Sequence, residues 1–196
     1  MMELIPAFEI GLRNAWMFAI PYAYVHFGLS RLIVDSKSTI FVWPSYTKSE
    51  KIFSGVLMVT FFGSWIYSIF LPLKLGAAWL YSGLPIYVLG LIFIIMALLS
   101  FSTTPLEKPV TKGIYRISRH PMNFGFFLAL TGMGLASASW IVLLCAILFL
   151  ILQGKILEKA EERMCLEKFG NVYPEYSNRT PRWIGLPKRG GEEDSL

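Results

Sequence analysis

Residues 121–153 are PMNFGFFLALTGMGLASASWIVLLCAILFLILQ, two apolar runs separated only by the small residues Ala136-Ser-Ala-Ser139. A helix that crosses a bilayer needs about 20 mostly apolar residues for roughly 30 Å of hydrocarbon. The connection is too short for anything but a tight turn. The sequence therefore predicts a hairpin of two spans, Pro121–Ser137 and Ser139–Gln153, of which the first is short enough to sit low in the bilayer.

The rest of the chain has the same apolar character. Of its 196 residues, 55% are hydrophobic and 16% are charged, whereas about a quarter of the residues in soluble domains are charged. Three more apolar runs have the length of a span, at Asn14–Leu32, Ile52–Leu73 and Ala78–Phe101, and none of the five contains Asp or Glu. We therefore predict an all-α integral membrane bundle of five transmembrane helices.

These spans are expected to form one membrane-embedded domain, residues 1–187, because no Gly/Ser-rich or charge-rich linker divides them. Residues 188–196 are polar and are expected to be a disordered tail. Glu3 and Glu9 stand where a signal peptide would be basic, so the first apolar run is expected to be retained.

The distribution of positive charge predicts an orientation. Two of the 18 Lys and Arg residues, Arg13 and Lys74, lie at one end of the predicted spans, and the other sixteen lie at the opposite end. Because cytoplasmic loops carry the excess of Lys and Arg, we expect the N-terminus outside and the C-terminus in the cytosol. The net charge of +5 then matches a membrane surface, and no nucleic-acid partner is expected.

The fifth apolar run continues as a helical pattern from Ser139 to about Phe169. About 30 residues at 1.5 Å each give roughly 45 Å, so the excess is expected to protrude into the cytosol as an amphipathic helix. Its apolar stripe and its acidic face would be formed by Ile156, Ala160 and Met164 and by Glu158, Glu161 and Glu162. Gly170-Asn171 is typical of a helix end.

An Arg-His-Pro corner precedes the fourth span. Pro121 suits the first turn of a helix and pushes His120 out of helical geometry. Arg119 and His120 would therefore lie at a helix N-terminus, where free backbone N–H groups favour an anionic ligand group. The alternative is a basic flank that anchors the span to lipid phosphates.

Two adjacent carboxylates, Glu161 and Glu162, follow the fifth span. They could be a solvated face paired with Lys155, Lys159 and Arg163. Their position favours another interpretation, because they lie within a few helical turns of the membrane, on the same side as the Arg-His-Pro corner. The Arg-His-Pro corner would supply positive charge and the two glutamates negative charge, and this combination suits a zwitterionic or cationic cofactor.

Other polar residues carry less information. Cys145 and Cys165 have neither disulfide nor metal-binding spacing, and no metal site is expected. His26 lies inside the first span, where a histidine is either functional or a hydrogen-bonded helix contact. Small residues are expected to permit close helix packing at Gly132, Gly134, Ala136 and Ser139.

With these motifs in place, the segment Pro105–Trp183 resembles the catalytic half of the membrane methyltransferase superfamily. That group includes isoprenylcysteine carboxyl methyltransferases, phospholipid N-methyltransferases and small-thiol methyltransferases. The resemblance rests on Pro109-Val-Thr-Lys-Gly-Ile-Tyr115, Arg119-His-Pro121, Glu161-Glu162 and Phe169-Gly-x-x-Tyr-x-x-Tyr176 followed by Arg182. It implies that residues 102–187 form the catalytic half.

The resemblance also implies a cofactor, S-adenosylmethionine, bound on the cytosolic side. The residues that would line its pocket are Lys108, Pro109, Val110, Tyr115, Arg119, His120, Pro121, Glu161 and Glu162. The cofactor carboxylate suits Arg119 or helix N–H groups, and its sulfonium suits an aromatic face such as Tyr115 or Phe124. The acceptor would be a lipophilic or membrane-delivered molecule, and if it is an amine or thiol, His120 or Glu162 is the expected base.

The acceptor is expected to bind near Asn123, Leu157 and Arg182. Leu157 stands where the carboxyl methyltransferases carry an arginine for the substrate carboxylate. This argues against a prenylcysteine carboxylate unless Lys155, Lys159 or Arg182 substitutes.

Two other functions remain open at this point. A sterol-type membrane reductase would bind nicotinamide phosphates at Lys112, Arg116 and Arg119. A haem-binding membrane protein, of the kind related to carotene isomerases, would use His26 and His120.

Overall fold

The computed structural model describes residues 9–33 and 44–186. Within these ranges it contains helices and loops but no β-strand, only an isolated bridge between Asn14 and Pro72. The all-α prediction is therefore confirmed. The predicted tail, residues 188–196, lies outside the described residues.

In the described residues seven helices follow one another, with short 3₁₀ turns at Ser68–Phe70 and Gly113–Arg116 between them. Helix α1 covers residues 15–33 as a 3₁₀ turn (Ala15–Phe18), an α-helical turn (Ala19–Ala23), a π-helical segment (Tyr24–Leu29) and a final turn (Ser30–Ile33). The remaining helices are α2 (Lys48–Tyr67), α3 (Ala78–Ser102), α4 (Pro121–Ala136), α5 (Trp140–Leu152), α6 (Glu158–Phe169) and α7 (Val172–Arg179). A π-helical segment, Gln153–Leu157, joins α5 to α6 without a break.

Three of these stretches are long and apolar enough to cross a membrane, namely Lys48–Phe70, Ala78–Ser102 and Trp140–Phe169. Helix α4 is a shorter apolar helix, as its short run predicted. Large apolar side chains such as Ile52, Val59 and Ile66 are exposed on the outer surface, which suits contact with lipid. The chain is thus a membrane protein by helix length and composition, and the count of five spans stays a prediction.

Helix α2 begins four residues earlier than predicted because a capping box starts it. The Thr47 hydroxyl accepts a hydrogen bond from the Glu50 backbone N–H, and the Glu50 carboxylate accepts one from the Thr47 N–H at 2.9 Å. The helix ends earlier than predicted as well, because Pro72 favours the extended conformation of Leu71 (φ −100°, ψ 102°).

Helices α3 and α4 pack backbone to backbone through glycines. A Cβ added to Gly90 of α3 would lie 2.6 Å from the Ala129 nitrogen, and one added to Gly125 of α4 would lie 2.8 Å from Ile94 Cγ1. Gly83 and Gly132 make the same close approach two helical turns away. Inside a bilayer the hydrophobic effect does not drive helices together, and close packing at small residues does so instead. The pair of helices α3 and α4 therefore forms the centre of the bundle.

The predicted hairpin is confirmed between α4 and α5. Ala138 takes a positive φ of 51° in the link, and the Ser139 hydroxyl caps α5 by accepting from the Val142 N–H at 3.5 Å. Gly134 packs tightly against Leu143, as the small-residue pattern predicted.

The two ends of the bundle are held by different contacts. At one end, backbone hydrogen bonds join the start of α1 to the chain after α2, from Ala15 N–H to Leu71 O (2.8 Å) and from Leu73 N–H to Arg13 O (2.9 Å). At the other end, an Arg163–Glu50 ion pair of 2.8 Å joins α6 to the start of α2. The ion pair therefore places the starts of α2 and α6 at the same end of the bundle.

The glycine packing can be tested by adding one methyl group. Gly90→Ala should destabilise the protein by about 1–3 kcal/mol, because the new Cβ meets backbone that cannot move aside. Gly63→Ala is the matched control, since nothing lies within 4 Å of a Cβ at that exposed position of α2, and it should gain about 0.5–1 kcal/mol from helix propensity. Thermal unfolding in detergent micelles measures both, and equal melting temperatures for the two variants would contradict the packing argument.

Candidate active site

A polar cluster lies at the basic end of the bundle, where three parts of the chain meet. Its members come from the corner before α4 (Ser118, Arg119 and His120), from the first turns of α6 (Glu158, Glu161 and Glu162) and from the segment after α7 (Arg182). Asn123 and Gln153 complete it. We call these nine residues the carboxylate cluster.

The corner before α4 is fixed by hydrogen bonds to the segment after α7. The Ser118 hydroxyl donates to the Arg182 carbonyl (3.3 Å) and accepts from the His120 N–H (3.2 Å). The Arg119 N–H donates to the Pro181 carbonyl at 3.0 Å. Sequence-distant segments are thus joined by backbone contacts, which place Arg119, His120 and Arg182 together.

His120 lies between the two adjacent glutamates. Its backbone is non-helical (φ −126°, ψ 55°) in front of Pro121, as predicted, and its side chain is 8% exposed. Its Nδ1 lies 3.1 Å from Glu161 Oε2 and its Nε2 lies 3.3 Å from Glu162 Oε1. Burial alone would lower the His120 pKa, but the hydrogen bonds to Glu161 and Glu162 and the negative charges of Glu161 and Glu158 raise it to about 9.

Glu162 is paired with cations from other parts of the chain. Arg119 Nη1 lies 2.9 Å from its Oε1, and Arg182 Nη2 lies 3.1 Å from its Oε2. Arg163, the neighbour on the same helix, pairs with Glu50 instead. The alternative of an ordinary solvated helix face is therefore wrong for Glu162.

Glu161 is the more accessible of the two, with 32% of its side chain exposed. Asn123 Nδ2 donates to its Oε2 at 3.4 Å, and Gln153 Nε2 donates to its Oε1 at 3.1 Å. The structure thus brings the predicted acceptor residue Asn123 next to the predicted cofactor residue Glu161.

Three buried polar atoms of the cluster have no hydrogen-bond partner among the described residues. They are Arg119 Nε, Arg182 Nε and Glu158 Oε2. The nearest charge to Glu158 Oε2 is Arg182 Nε at 3.9 Å, too long for a hydrogen bond. Buried polar groups are nearly always hydrogen-bonded in proteins, so unpartnered atoms gathered in one cluster indicate a site for ligand groups.

The other predicted residues lie around this cluster or outside it. Tyr115 is 7% exposed and packs edge-on against Phe101, and its carbonyl accepts from the Tyr176 hydroxyl at 2.8 Å. Pro109 and Pro121 are buried, and Val110 packs beside Tyr115. None of these four predicted residues is a member of the cluster, and neither are Lys108, which is exposed, and Leu157, which is 3% exposed in the apolar core.

Sequence reasoning did not predict three members of the carboxylate cluster as site residues, namely Ser118, Gln153 and Glu158, and it did not connect Tyr46 with the charge of Glu161. Gln153 begins the π-helical segment and Glu158 follows it, and no sequence pattern predicted this segment. Tyr46 precedes α2, and burial together with the charge of Glu161 raises its pKa to about 12. The available signal was the polar Gln153 at the end of an apolar run and the Glu-x-x-Glu-Glu spacing of α6.

Comparison with known families supports a catalytic interpretation of this geometry. Residues 80–172 match the family model of phospholipid methyltransferase. The match confirms the resemblance to the membrane methyltransferase superfamily, and it indicates a methyltransferase in a lipid environment. It begins in α3 and ends at Val172, so it includes the corner before α4 and both adjacent glutamates but not Arg182. A comparison with curated proteins gives no match.

In this methyltransferase-like segment, the imidazole of His120 should stay protonated, and thus positively charged, across the neutral pH range. The His120 pKa is raised above the ordinary 6.5 to about 9, so protonated His120 stabilises the fold fully below about pH 6.5 and this contribution is lost as the pH rises through 9. The melting temperature of the wild type should therefore fall over that interval more than that of His120→Gln. ¹⁵N NMR of the labelled imidazole checks the proton directly, and a midpoint at or below 6.5 would contradict the ion pairs.

Proposed function

We propose that this protein is an integral membrane methyltransferase that transfers a methyl group from S-adenosylmethionine to a lipophilic or membrane-delivered acceptor. The acceptor classes are a prenylcysteine-type carboxyl, a lipid amine and a thiol. The observation that carries the proposal is the contact of His120 with both Glu161 and Glu162, inside the segment that matches a methyltransferase family.

The residues of the cluster fit S-adenosylmethionine, which carries a carboxylate, an ammonium and a sulfonium. Arg119 has an unpartnered Nε for the carboxylate, and Glu161 is partly exposed for the ammonium or for ribose hydroxyls. Phe124, half-buried near Trp183 on the same side, offers an aromatic face for a sulfonium. The cofactor would supply an electrophilic methyl group, which the protein itself lacks.

The protein's own contribution would be binding, alignment and exclusion of water. The corner before α4 and the segment after α7 hold Arg119 and Arg182 in place, so a ligand meets groups whose positions are already set. Trp183 packs against Gly154, whose missing side chain leaves room for the ring. This contact would cover the cluster and limit the entry of water.

The contacts of His120 and Glu162 indicate that these side chains hold neighbouring groups in place and do not act as the general base. Both ring nitrogens of His120 face carboxylates. Both oxygens of Glu162 face cations. Groups stabilised in this way in their charged forms are poor proton acceptors, and they would orient Glu161 and Arg119 toward the cofactor.

The proposed membrane arrangement has five spans, with the N-terminus outside and the carboxylate cluster at the cytosolic surface. The excess of Lys and Arg at the end that carries the cluster supports this orientation. The helix from Trp140 to Phe169 would then extend beyond the bilayer as α6. A lipophilic acceptor would enter sideways between spans near Asn123.

A phospholipid acceptor is favoured by the name of the matched family. At the position where the carboxyl methyltransferases carry an arginine for the substrate carboxylate, this chain has Leu157, which is buried in the apolar core and offers no cation to a prenylcysteine carboxylate. The reductase alternative gains no support, since Lys112 contacts the Thr103 carbonyl and Arg119 contacts Glu162, so the two side chains do not form one phosphate-binding cluster. The haem alternative gains none either, since both ring nitrogens of His120 contact glutamates.

Loss of the cluster should weaken cofactor binding. Glu161→Gln and His120→Ala should each weaken the binding of S-adenosylhomocysteine by about 1–3 kcal/mol, because each removes a charge-assisted hydrogen bond. Glu175→Gln is the control, since Glu175 lies on α7 and pairs with Arg179 at the exposed surface. Isothermal calorimetry on purified protein measures all three.

Wild-type affinity in both cluster variants would remove the site assignment. Binding of a nicotinamide nucleotide in place of S-adenosylhomocysteine would favour the reductase, and a Soret band would favour haem. The acceptor is found by incubating membrane lipid extract with methyl-labelled S-adenosylmethionine and identifying the labelled species.

A further inference from the structure

A methyl acceptor that carries a proton on its nucleophilic atom needs a group to receive that proton. Amines and thiols are of this kind, whereas a carboxylate is already deprotonated at neutral pH. Suitable receivers must be uncharged bases or unpaired carboxylates. His120 and Glu162 do not qualify, because opposite charges occupy both polar atoms of each side chain.

Glu161 is a weak candidate for the same reason. Its Oε2 faces His120 and Asn123, and its Oε1 accepts from Gln153. Glu158 differs from both neighbouring glutamates. Its side chain is 1% exposed, and its Oε2 has no hydrogen-bond partner among the described residues.

The place of Glu158 in the fold suits contact with an acceptor. It follows the π-helical segment Gln153–Leu157 and lies about one helical turn closer to the span than Glu161 and Glu162. The preceding residue, Leu157, belongs to the apolar core. Glu158 therefore lies where the hydrophobic interior ends and the carboxylate cluster begins, the position that the reactive group of a lipophilic acceptor would reach from the bilayer.

We propose that Glu158 pairs with the acceptor and receives its proton, and that the acceptor is an amine or a thiol. This inference rests on the proposed methyltransferase function. An amine of pKa about 10 is an ammonium ion at neutral pH; one of its N–H bonds breaks, an O–H bond forms at Glu158 Oε2, and the electron pair left on nitrogen becomes free to bond the methyl group. A thiol loses its S–H proton in the same way.

The charges around Glu158 are consistent with this role. Arg182, from the segment after α7, is the nearest cation, and its Nη2 is directed to Glu162. His120 faces it from the start of α4, and Glu161 and Glu162 face it from its own helix. Burial and the two glutamates raise the proton affinity of Glu158, while His120 and Arg182 lower it.

The experiment uses the full chain in phosphatidylethanolamine nanodiscs with methyl-labelled S-adenosylmethionine. Dodecanethiol and N-acetylfarnesylcysteine are added in separate arms. For the amine or the thiol, Glu158→Gln should lower kcat about 100-fold or more at pH 7, the range expected for loss of a general base. The affinity for S-adenosylhomocysteine should stay within about twofold of the wild type, because the cofactor groups remain.

The pH profile separates a proton acceptor from a structural residue. The deficit of Glu158→Gln should shrink toward pH 10, because an amine with a pKa of about 10 then loses its proton to water. Glu158→Asp should recover part of the rate. Glu167→Gln, an exposed glutamate on the same helix, is the matched control and should behave as the wild type.

A readout without turnover tests the same contact. Hexylamine should bind the protein loaded with S-adenosylhomocysteine, and Glu158→Gln but not Glu167→Gln should lose this binding. Three outcomes would overturn the inference: an unchanged kcat in Glu158→Gln, a deficit that does not vary with pH, or methylation of N-acetylfarnesylcysteine alone. If the wild type neither binds S-adenosylhomocysteine nor methylates any acceptor, the proposed function itself fails.

Discussion

The contact between His120 and the glutamate pair is the interaction on which the site depends. Three carboxylates lie within two turns of one helix at the end of an apolar bundle, and their mutual repulsion would oppose folding. His120, Arg119 and Arg182 offset that repulsion from two other parts of the chain. Ion pairs therefore hold the corner before α4 and the segment after α7 against α6. The packing of the apolar helices is needed only to place these three segments at the same end of the bundle.

Much of this arrangement followed from the sequence because short-range rules govern it. Pro121 starts α4 and forces His120 out of the helix, and Gly170 ends α6 with a φ of +55°. The hairpin between α4 and α5 follows from the length of its link. The all-α fold follows from the apolar runs, since only helices or closed barrels satisfy backbone hydrogen bonds within a bilayer.

The remainder depends on tertiary contacts that a local pattern does not contain. A π-helical segment adds a residue to one turn, and from Gln153 onward it rotates every side chain relative to a regular helix. Glu158, which helical periodicity places on a polar face with Glu161 and Glu162, is buried in the structure. The capping box of Thr47 and Glu50 starts α2 four residues before the apolar run on which the predicted start was based.

The division of labour among the three glutamates follows from how each is paired. Glu162 faces three cationic groups, which fix its side chain. Glu162 in turn holds these three groups in position. Glu161 faces one cation and two amides and remains partly exposed, so a ligand ammonium can replace its internal partners at modest cost. Glu158 has an oxygen without a hydrogen-bond partner beside apolar residues, and its ion pair with Arg182 is long, at 3.9 Å, so its buried charge is the least compensated of the three. Evolution rarely retains such a cost without a ligand that relieves it, and the side chain that is least satisfied in the free protein is the one with the most to gain from an acceptor.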